Sequence, residues 1–418
     1  MVIRGKADGA RIEGLEIQRW AHGGDAVAVP GSGPLAGAIV FVPGGVPGDR
    51  VTVAIVQRKK RWARARIVAI EVPSPERVEA PCPIQARCGG CPWMPGSAAA
   101  QAASRLAILR GEARKRLGWD DAEAALRISL AEVPEAPRFG YRPRMKLGWR
   151  NAQGRVVIGF RGKSSHELFE VTQCSIAAPA LNAALPRLAA RVAAIGDGRG
   201  DLRLVAGAEG VAAWVQPEGA PGFGVGPERV TVAVGRGAHA VSPRGFLQAN
   251  PPVAAAMTGA IAAWAREAGG SHAVELFAGS GALTPALWDA GYTVDAYELD
   301  PSAAAGFAAL RDGLDVAPER GRWSQADLLG VGVPTPPPRQ PPDLVLLDPP
   351  RIGAAEVMPW VRGVGARTVI LMSCDVATGF RDLALLCEGG AYRVDAVTGW
   401  DMFPHTGHQE LLARVVRV

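Results

Sequence analysis

The chain has 418 residues, 48% of them hydrophobic, and 46 Lys and Arg against 40 Asp and Glu give a formal net charge of +6. That is enough apolar chain to bury two or three cores, since single domains usually run to about 100–200 residues, so several domains are expected. The charge excess suits a polyanionic partner without requiring one, and no apolar run is uninterrupted enough to span a bilayer.

The nearest to a membrane span, Ala177 to Ile195, is broken by Pro179, Pro186, Arg187 and Arg191. The N-terminus lacks the basic start, apolar run and small-residue site of a leader, so a soluble, cytoplasmic protein is expected. The six cysteines, Cys82, Cys88, Cys91, Cys174, Cys374 and Cys387, then read as ligands, catalysts or core residues rather than disulfides.

Residues 1–72 alternate short apolar runs with Gly and Pro turns: Val27 to Val29, Ala38 to Val42, Val51 to Val56. Period-two runs of this kind predict a small OB-like β-barrel. The segment Arg58-Lys59-Lys60-Arg61-Trp62-Ala63-Arg64-Ala65-Arg66 follows. Basic residues around an aromatic suit phosphates and a stacked base, and equally a solvated strand face.

Residues 73–245 form a second region, entered through Pro73, Pro75 and Pro81. Gln101 to Leu117 has the apolar spacing of a helix, and Lys146 to Arg150 and Val156 to Phe160 read as strands around the turn at Asn151 to Gly154. Cys82, Cys88 and Cys91 lie close together and Cys174 lies far along the chain. Four thiolates can hold zinc or an iron–sulfur cluster, and the spacing does not choose between them.

Residues 246–418 change to strands alternating with helices. Ala273 to Phe277, Thr293 to Tyr297, Leu344 to Leu347 and Thr368 to Met372 are nearly continuous apolar runs. Strands buried on both faces predict a mainly parallel, doubly wound, Rossmann-like α/β sheet.

In such a sheet ligands bind where the strands end. The first run leads into Ala278-Gly279-Ser280-Gly281, where Gly279 and Gly281 permit close backbone approach. Glu298 is placed to accept ribose hydroxyls, and Asp327 to accept the exocyclic amine of an adenine. A dinucleotide fingerprint would need a third glycine where Thr284 stands, which tilts the expected ligand to S-adenosylmethionine. The fourth run ends at Asp348-Pro349-Pro350-Arg351, and the fifth at Ser373-Cys374-Asp375. Cys374 is therefore the candidate nucleophile, whereas Cys387, in an apolar helical stretch, reads as core. Glu410, opening the last strand, is the candidate base, and Asp348 would hold the substrate edge.

Together these segments resemble the uridine C5 RNA methyltransferases that carry an N-terminal TRAM barrel and an iron–sulfur cluster. The resemblance covers nearly the whole chain. It rests on Phe41-Val42-Pro43-Gly44 and Pro47 to Val51 for the barrel, Cys88-Gly89-Gly90-Cys91 for the cluster, and Phe246-x-Gln248-x-Asn250 at the start of the catalytic region. Asp348 to Arg351, Ser373-Cys374 and Asp401 to Pro404 with His408-x-Glu410 are its most specific motifs.

The resemblance implies Cys374 as nucleophile and Glu410 as base, with Gln248, Phe277, Glu298, Asp327 and Asp348 lining the cofactor and base pocket and Phe246 against the target uracil. It implies that Cys82, Cys88, Cys91 and Cys174 hold a 4Fe-4S cluster, and that the RNA is ribosomal 23S rather than transfer RNA. The chain departs from the family in having Asp375-Val376 where Asn-Pro is usual, and Ala278 where a cysteine is usual. The first departure is expected to alter the nucleophile's loop or its electrostatics, since a carboxylate at 375 would disfavour the neighbouring thiolate.

Overall fold

Strict alternation builds the N-terminal unit in the computed structural model, which describes residues 10–162, 167–235 and 237–418. Along Arg50–Arg58 every second side chain is buried, and Val51, Val53 and Ile55 meet Val40, Val42, Ala63 and Ala65 in one core. The resulting sheet has six strands, in the order Arg11–Glu16, Arg50–Arg58, Trp62–Val72, Ile39–Val42, Ala26–Ala28 and Arg19–Trp20. In Trp62–Val72 the alanines Ala63 and Ala65 point inward while Trp62, Arg64 and Arg66 alternate outward. Trp20 closes the core from below, stacked at 4.8 Å on Trp93 from the next region.

The middle of the chain forms a second six-stranded sheet, ordered Leu168–Glu170, Arg155–Arg161, Arg144–Ala152, Gly198–Gly207, Gly210–Pro217 and Phe223–Val225. The helix Pro179–Ala193 covers one face, burying Leu181, Leu185, Leu188 and Val192. The stretch read for its membrane potential is this amphipathic helix, and among the described residues no helix is long and apolar enough to cross a membrane.

The expected doubly wound α/β unit is present. Five parallel strands run Gly321–Gln325, Thr293–Glu298, His272–Leu276, Leu344–Leu347 and Thr368–Ser373. Glu410–Arg417 and Tyr392–Trp400 extend this sheet antiparallel. Alternate residues sort into two cores: Val274, Leu276, Val345, Leu347, Val369 and Leu371 on one face, Ala273, Leu344, Leu346, Ile370 and Met372 on the other. Burial on both faces is why these strands read as continuous apolar runs. Strand order reverses between His272–Leu276 and Leu344–Leu347, so the ligand crevice is expected at their carboxyl ends.

One part of this unit comes from elsewhere in the chain. Ile128–Leu130 adds an eighth, parallel strand beyond Tyr392–Trp400, and the helix Ala98–Leu117 packs Leu109 and Ala113 into the catalytic core. That helix was expected to bury an ordinary apolar face. Its fully buried stripe is instead Gln101, Arg105, Leu109 and Ala113, at spacing four.

Candidate active site

Strand register brings the predicted residues to one rim. Leu347 is level with both Leu276 and Leu371, so Phe277 and Asp348 leave adjacent strands at the same height. Ser373 pairs antiparallel with Leu411, and one further step along that pairing sets Cys374 opposite Glu410. The two residues are thus held by facing strand ends, although 36 positions of sequence separate them.

The glycine loop beside them is held from both sides. Phe277 has φ 61°, a left-handed conformation unusual for a bulky residue, and turns the chain out of the sheet. Gly279, φ 54°, has open space where a Cβ would project, whereas a Cβ at Gly281 would meet the Phe307 ring at 2.8 Å. Gly279 N–H donates to Glu298 Oε2 at 2.9 Å, and Trp323 Nε1 donates to Gly279 O at 3.1 Å. Glu298 Oε1 also accepts from Leu299 and Asp300, while Asp327 caps the helix Leu328–Val331 through Gly330 N–H. Both acids keep lone pairs for further donors. Gln248 is half-buried and Phe246 is exposed nearby in sequence. Asn250 of the same motif is fully buried, with neither amide atom partnered.

Acids crowd this rim. Burial pushes the Cys374 thiol up to about 11; Glu410 adds to the rise, Arg351 opposes it and Asp348 adds again. Burial likewise raises Glu410 to about 8, with Asp348 adding and Arg351 opposing. Asp348 is raised to about 7 by burial and then by Glu298. Behind them Glu275 is raised to about 8 by burial, although Thr284 Oγ1 donates to it at 2.5 Å, and Asp348 adds to the rise. The site therefore retains protons near neutrality and would welcome a cationic ligand.

The expectation for Asp375 is corrected. The acids acting most on Cys374 are Glu410 and Asp348, because the Asp375 carboxylate is engaged elsewhere. Its Oδ1 accepts from Thr378 N–H at 2.9 Å, capping Val376–Cys387, and its Oδ2 lies 3.2 Å from His22 Nε2 of the N-terminal unit.

Sequence reasoning missed the residues that fix the segment from Asp401 to Glu410. Arg105 donates to the carbonyls of His408 (2.6 Å), Thr406 (3.0 Å) and Phe403 (3.2 Å). Gln101 Oε1 accepts from His405 N–H and Arg138, and its Nε2 donates to Trp93 O and Gly96 O. The available signal was two polar residues four apart in line with Leu109 and Ala113.

The other four cysteines converge in the middle of the molecule. Cys82, Cys88, Cys91 and Cys174 line one small cavity, and all are free thiols. Gln85–Cys88 ends in the left-handed Gly89, while Asn182 clasps the Cys174 backbone through both its N–H and its carbonyl. Burial raises Cys88, Cys91 and Cys174, the second to about 12, and the neighbouring thiols add to each rise. Among the described residues no three Cys, His, Asp or Glu side chains are grouped to hold a metal ion.

No family model matches the chain. It is 32% identical to the 23S rRNA (uracil(1939)-C(5))-methyltransferase RlmD of Chromohalobacter salexigens, covering 99% of this chain and 91% of that one. The enzymes of that name from Alkalilimnicola ehrlichii and Pectobacterium atrosepticum are 30% and 28% identical, over 90% of this chain and 91% and 88% of theirs. Among solved structures, the Pyrococcus abyssi tRNA (uracil-54, C5)-methyltransferase in complex with S-adenosyl-L-homocysteine superposes with a TM-score of 0.73. It covers 97% of this chain and 100% of that one at 19% identity, a likeness of fold.

Proposed function

The chain belongs to the 23S rRNA (uracil-C5)-methyltransferases, and from that premise we propose that it methylates C5 of a uridine in 23S rRNA with Cys374 as nucleophile and Glu410 as base. The observation that carries the assignment is the placement of Cys374 opposite Glu410, beside Asp348, at the rim of the doubly wound sheet. S-adenosylmethionine, when bound, supplies an electrophilic methyl on a sulfonium. The residues fit it: Gly279 leaves open space, Glu298 and Asp327 retain acceptors, and a cation relieves the repulsion between Glu298 and Asp348. Gln248 and Phe277 complete that pocket, with Phe246 on the uracil side.

Uracil C5 is too weak a nucleophile to take the methyl unaided. Once the Cys374 thiol has lost its proton to solvent, its sulfur forms a bond to C6 and pushes electron density to C5 and O4, so that C5 can bond the methyl carbon while the cofactor's methyl–sulfur bond would break and S-adenosylhomocysteine would leave. Asp348, at the same rim, holds the uracil edge. Glu410 then removes the C5 proton, the C5–C6 double bond reforms, and the sulfur–C6 bond breaks to return the thiolate. Glu410, raised to about 8 in the free site, must be ionised to take that proton, and a cationic cofactor beside it favours the ionised form.

The N-terminal sheet is read as the family's TRAM barrel within residues 1–72, holding RNA through the outward arginines and Trp62. Residues 73–245 and 246–418 are then the cluster-bearing and catalytic regions. Cys82, Cys88, Cys91 and Cys174 are assigned to a 4Fe-4S cluster. Four free thiols around one cavity supply its donor set. The cluster's role here is structural or RNA-orienting, because the methyl-transfer scheme moves no single electrons.

The test is mass-spectrometric mapping of methyluridine in ribosomal and transfer RNA from cells with and without the gene. Loss of one 23S rRNA methyluridine supports the assignment. Loss confined to transfer RNA overturns the substrate.

A further inference from the structure

We propose that His22, in the turn between Arg19–Trp20 and Ala26–Ala28, is a positioning residue for the nucleophile: by holding Asp375 it fixes the turn that presents Cys374 and makes catalysis depend on how the N-terminal unit is seated. The inference rests on the reading of Cys374 as nucleophile given above.

Both neighbours of Cys374 are tied down. Ser373 closes the strand pairing with Leu411, and its Oγ donates to Asp375 O at 2.9 Å. Asp375 spends Oδ1 on the helix cap and Oδ2 on His22 Nε2, a bridge between residues 353 positions apart. The pair is about one-third exposed, 36% for His22 and 33% for Asp375. Solvent therefore screens its contribution to stability, but its geometric hold on a two-residue turn remains.

The seat of His22 is specific to this juncture. A Cβ on Gly407 would lie 2.9 Å from both His22 O and Gly24 N, so the loop bearing His22 touches the Asp401-to-Glu410 segment backbone to backbone. Trp93 N–H donates to His405 O and Trp93 Nε1 to Gly24 O, clamping the same contact from beneath. The charged and titratable groups facing His22 are Asp375 on the nucleophile turn, Glu112 on Ala98–Leu117, and His408. Two of the three are acids, and the Asp375 hydrogen bond, followed by the charge of Glu112, favours the imidazolium against burial. Asp375 is in turn held well below the usual carboxylate range, first by His22.

The bridge also resolves a local conflict. An uncompensated carboxylate beside the nucleophile disfavours a thiolate, and here the Asp375 carboxylate faces the His22 ring at 3.2 Å.

Steady-state methylation of 23S rRNA by the full-length protein tests this. His22→Ala should lower kcat about tenfold, the kinetic worth of one hydrogen bond to a charged group, with KM for RNA within about twofold. His22→Gln, whose amide nitrogen stands near Nε2, should restore most of the loss. In an Asp375→Asn background, where the amide still caps the helix, the same His22→Ala change should cost less than about twofold. Equal losses in both backgrounds, or an effect on KM alone, would overturn the inference, as would a kcat loss that tracks thermal unfolding and is not recovered in His22→Gln. Cys374→Ala assayed alongside separates the two readings. If it still methylates, the nucleophile assignment fails; if it is silent while His22→Ala matches the wild type, only the role of His22 fails.

Discussion

Arg105 and Asp401 form an ion pair at 2.6 Å, with the arginine 1% exposed. The pair joins a helix distant in sequence from the catalytic strands to the segment that delivers Glu410. Three backbone carbonyls of that segment also accept from the same guanidinium. Asp401 would keep Arg138 at 3.1 Å, but a buried acceptor left without its donor costs about 1–3 kcal/mol. Arg105→Ala should therefore lower the unfolding free energy by that order and abolish methyl transfer, measured by denaturant unfolding and by activity at a temperature where the variant is folded. Arg105→Lys, with a single point donor, should recover part of the stability and less of the activity.

The cavity shared by Cys82, Cys88, Cys91 and Cys174 predicts a brown protein after anaerobic purification, with broad thiolate-to-iron absorbance in the visible. Cys88→Ser should bleach it and leave iron below the wild-type content. A colourless anaerobic preparation with one zinc ion per chain would assign the four thiols to a different metal.

Lys59, Lys60 and Arg61 stand exposed at the turn between Arg50–Arg58 and Trp62–Val72. If that turn follows the RNA backbone, each phosphate contact contributes about one unit to the log–log salt slope of binding. The triple alanine variant should then bind 23S rRNA fragments more weakly, with a slope shallower by up to about three and unchanged cofactor affinity. Deleting the whole N-terminal unit is the poorer experiment, because His22, Gly24 and Trp20 pack on or beside the catalytic segment. An unchanged slope would place the RNA elsewhere.

These contacts mark where sequence reading stopped. The parallel strands and the residues ending them were legible, because strands buried on both faces leave continuous apolar runs and ligands bind at their ends. Cys374, Asp348 and Glu410 therefore fell at one rim as expected. Gln101 and Arg105 were not legible, because a polar pair on a helix ordinarily reads as its solvent face. Ile128–Leu130 is three residues long, too short for a periodic signal. Which effect Asp375 has was not legible, because its partner is His22 and no local pattern announces a partner 353 residues away.

Burial of Glu410 at 2% exposure gives the free enzyme a pH signature. Its folded pKa, raised to about 8 from 4.5, means that the folded state binds more protons than the unfolded chain between those values. Stability therefore falls as pH rises from about 4.5 to 8. Glu410→Gln should raise the thermal midpoint at pH 8 relative to wild type and leave it nearly unchanged at pH 4.5, by about 2–4 °C for each kcal/mol regained. S-adenosylmethionine should narrow the difference, since its cation favours the charged carboxylates nearby. A variant no more stable at pH 8 than at pH 4.5, relative to wild type, would contradict the buried, protonated state of Glu410.

Cys374 and Glu410 stand opposite one another on paired strand ends, yet their variants should fail in opposite ways. With Cys374→Ala no bond to C6 forms, so C5 is never activated, and neither methylated RNA nor a covalent complex appears, although RNA is still bound. With Glu410→Gln the thiolate still adds and C5 still takes the methyl, but the C5 proton has no base. Elimination stalls, and the protein accumulates on its RNA as a denaturation-resistant adduct that carries the transferred methyl group. His408, two residues away and half-buried, is the nearest group able to take that proton slowly. A denaturing gel with labelled RNA and labelled cofactor separates these outcomes. Wild-type turnover without adduct in Glu410→Gln, or methylation by Cys374→Ala, would show that the pair at this rim does not divide the reaction between them.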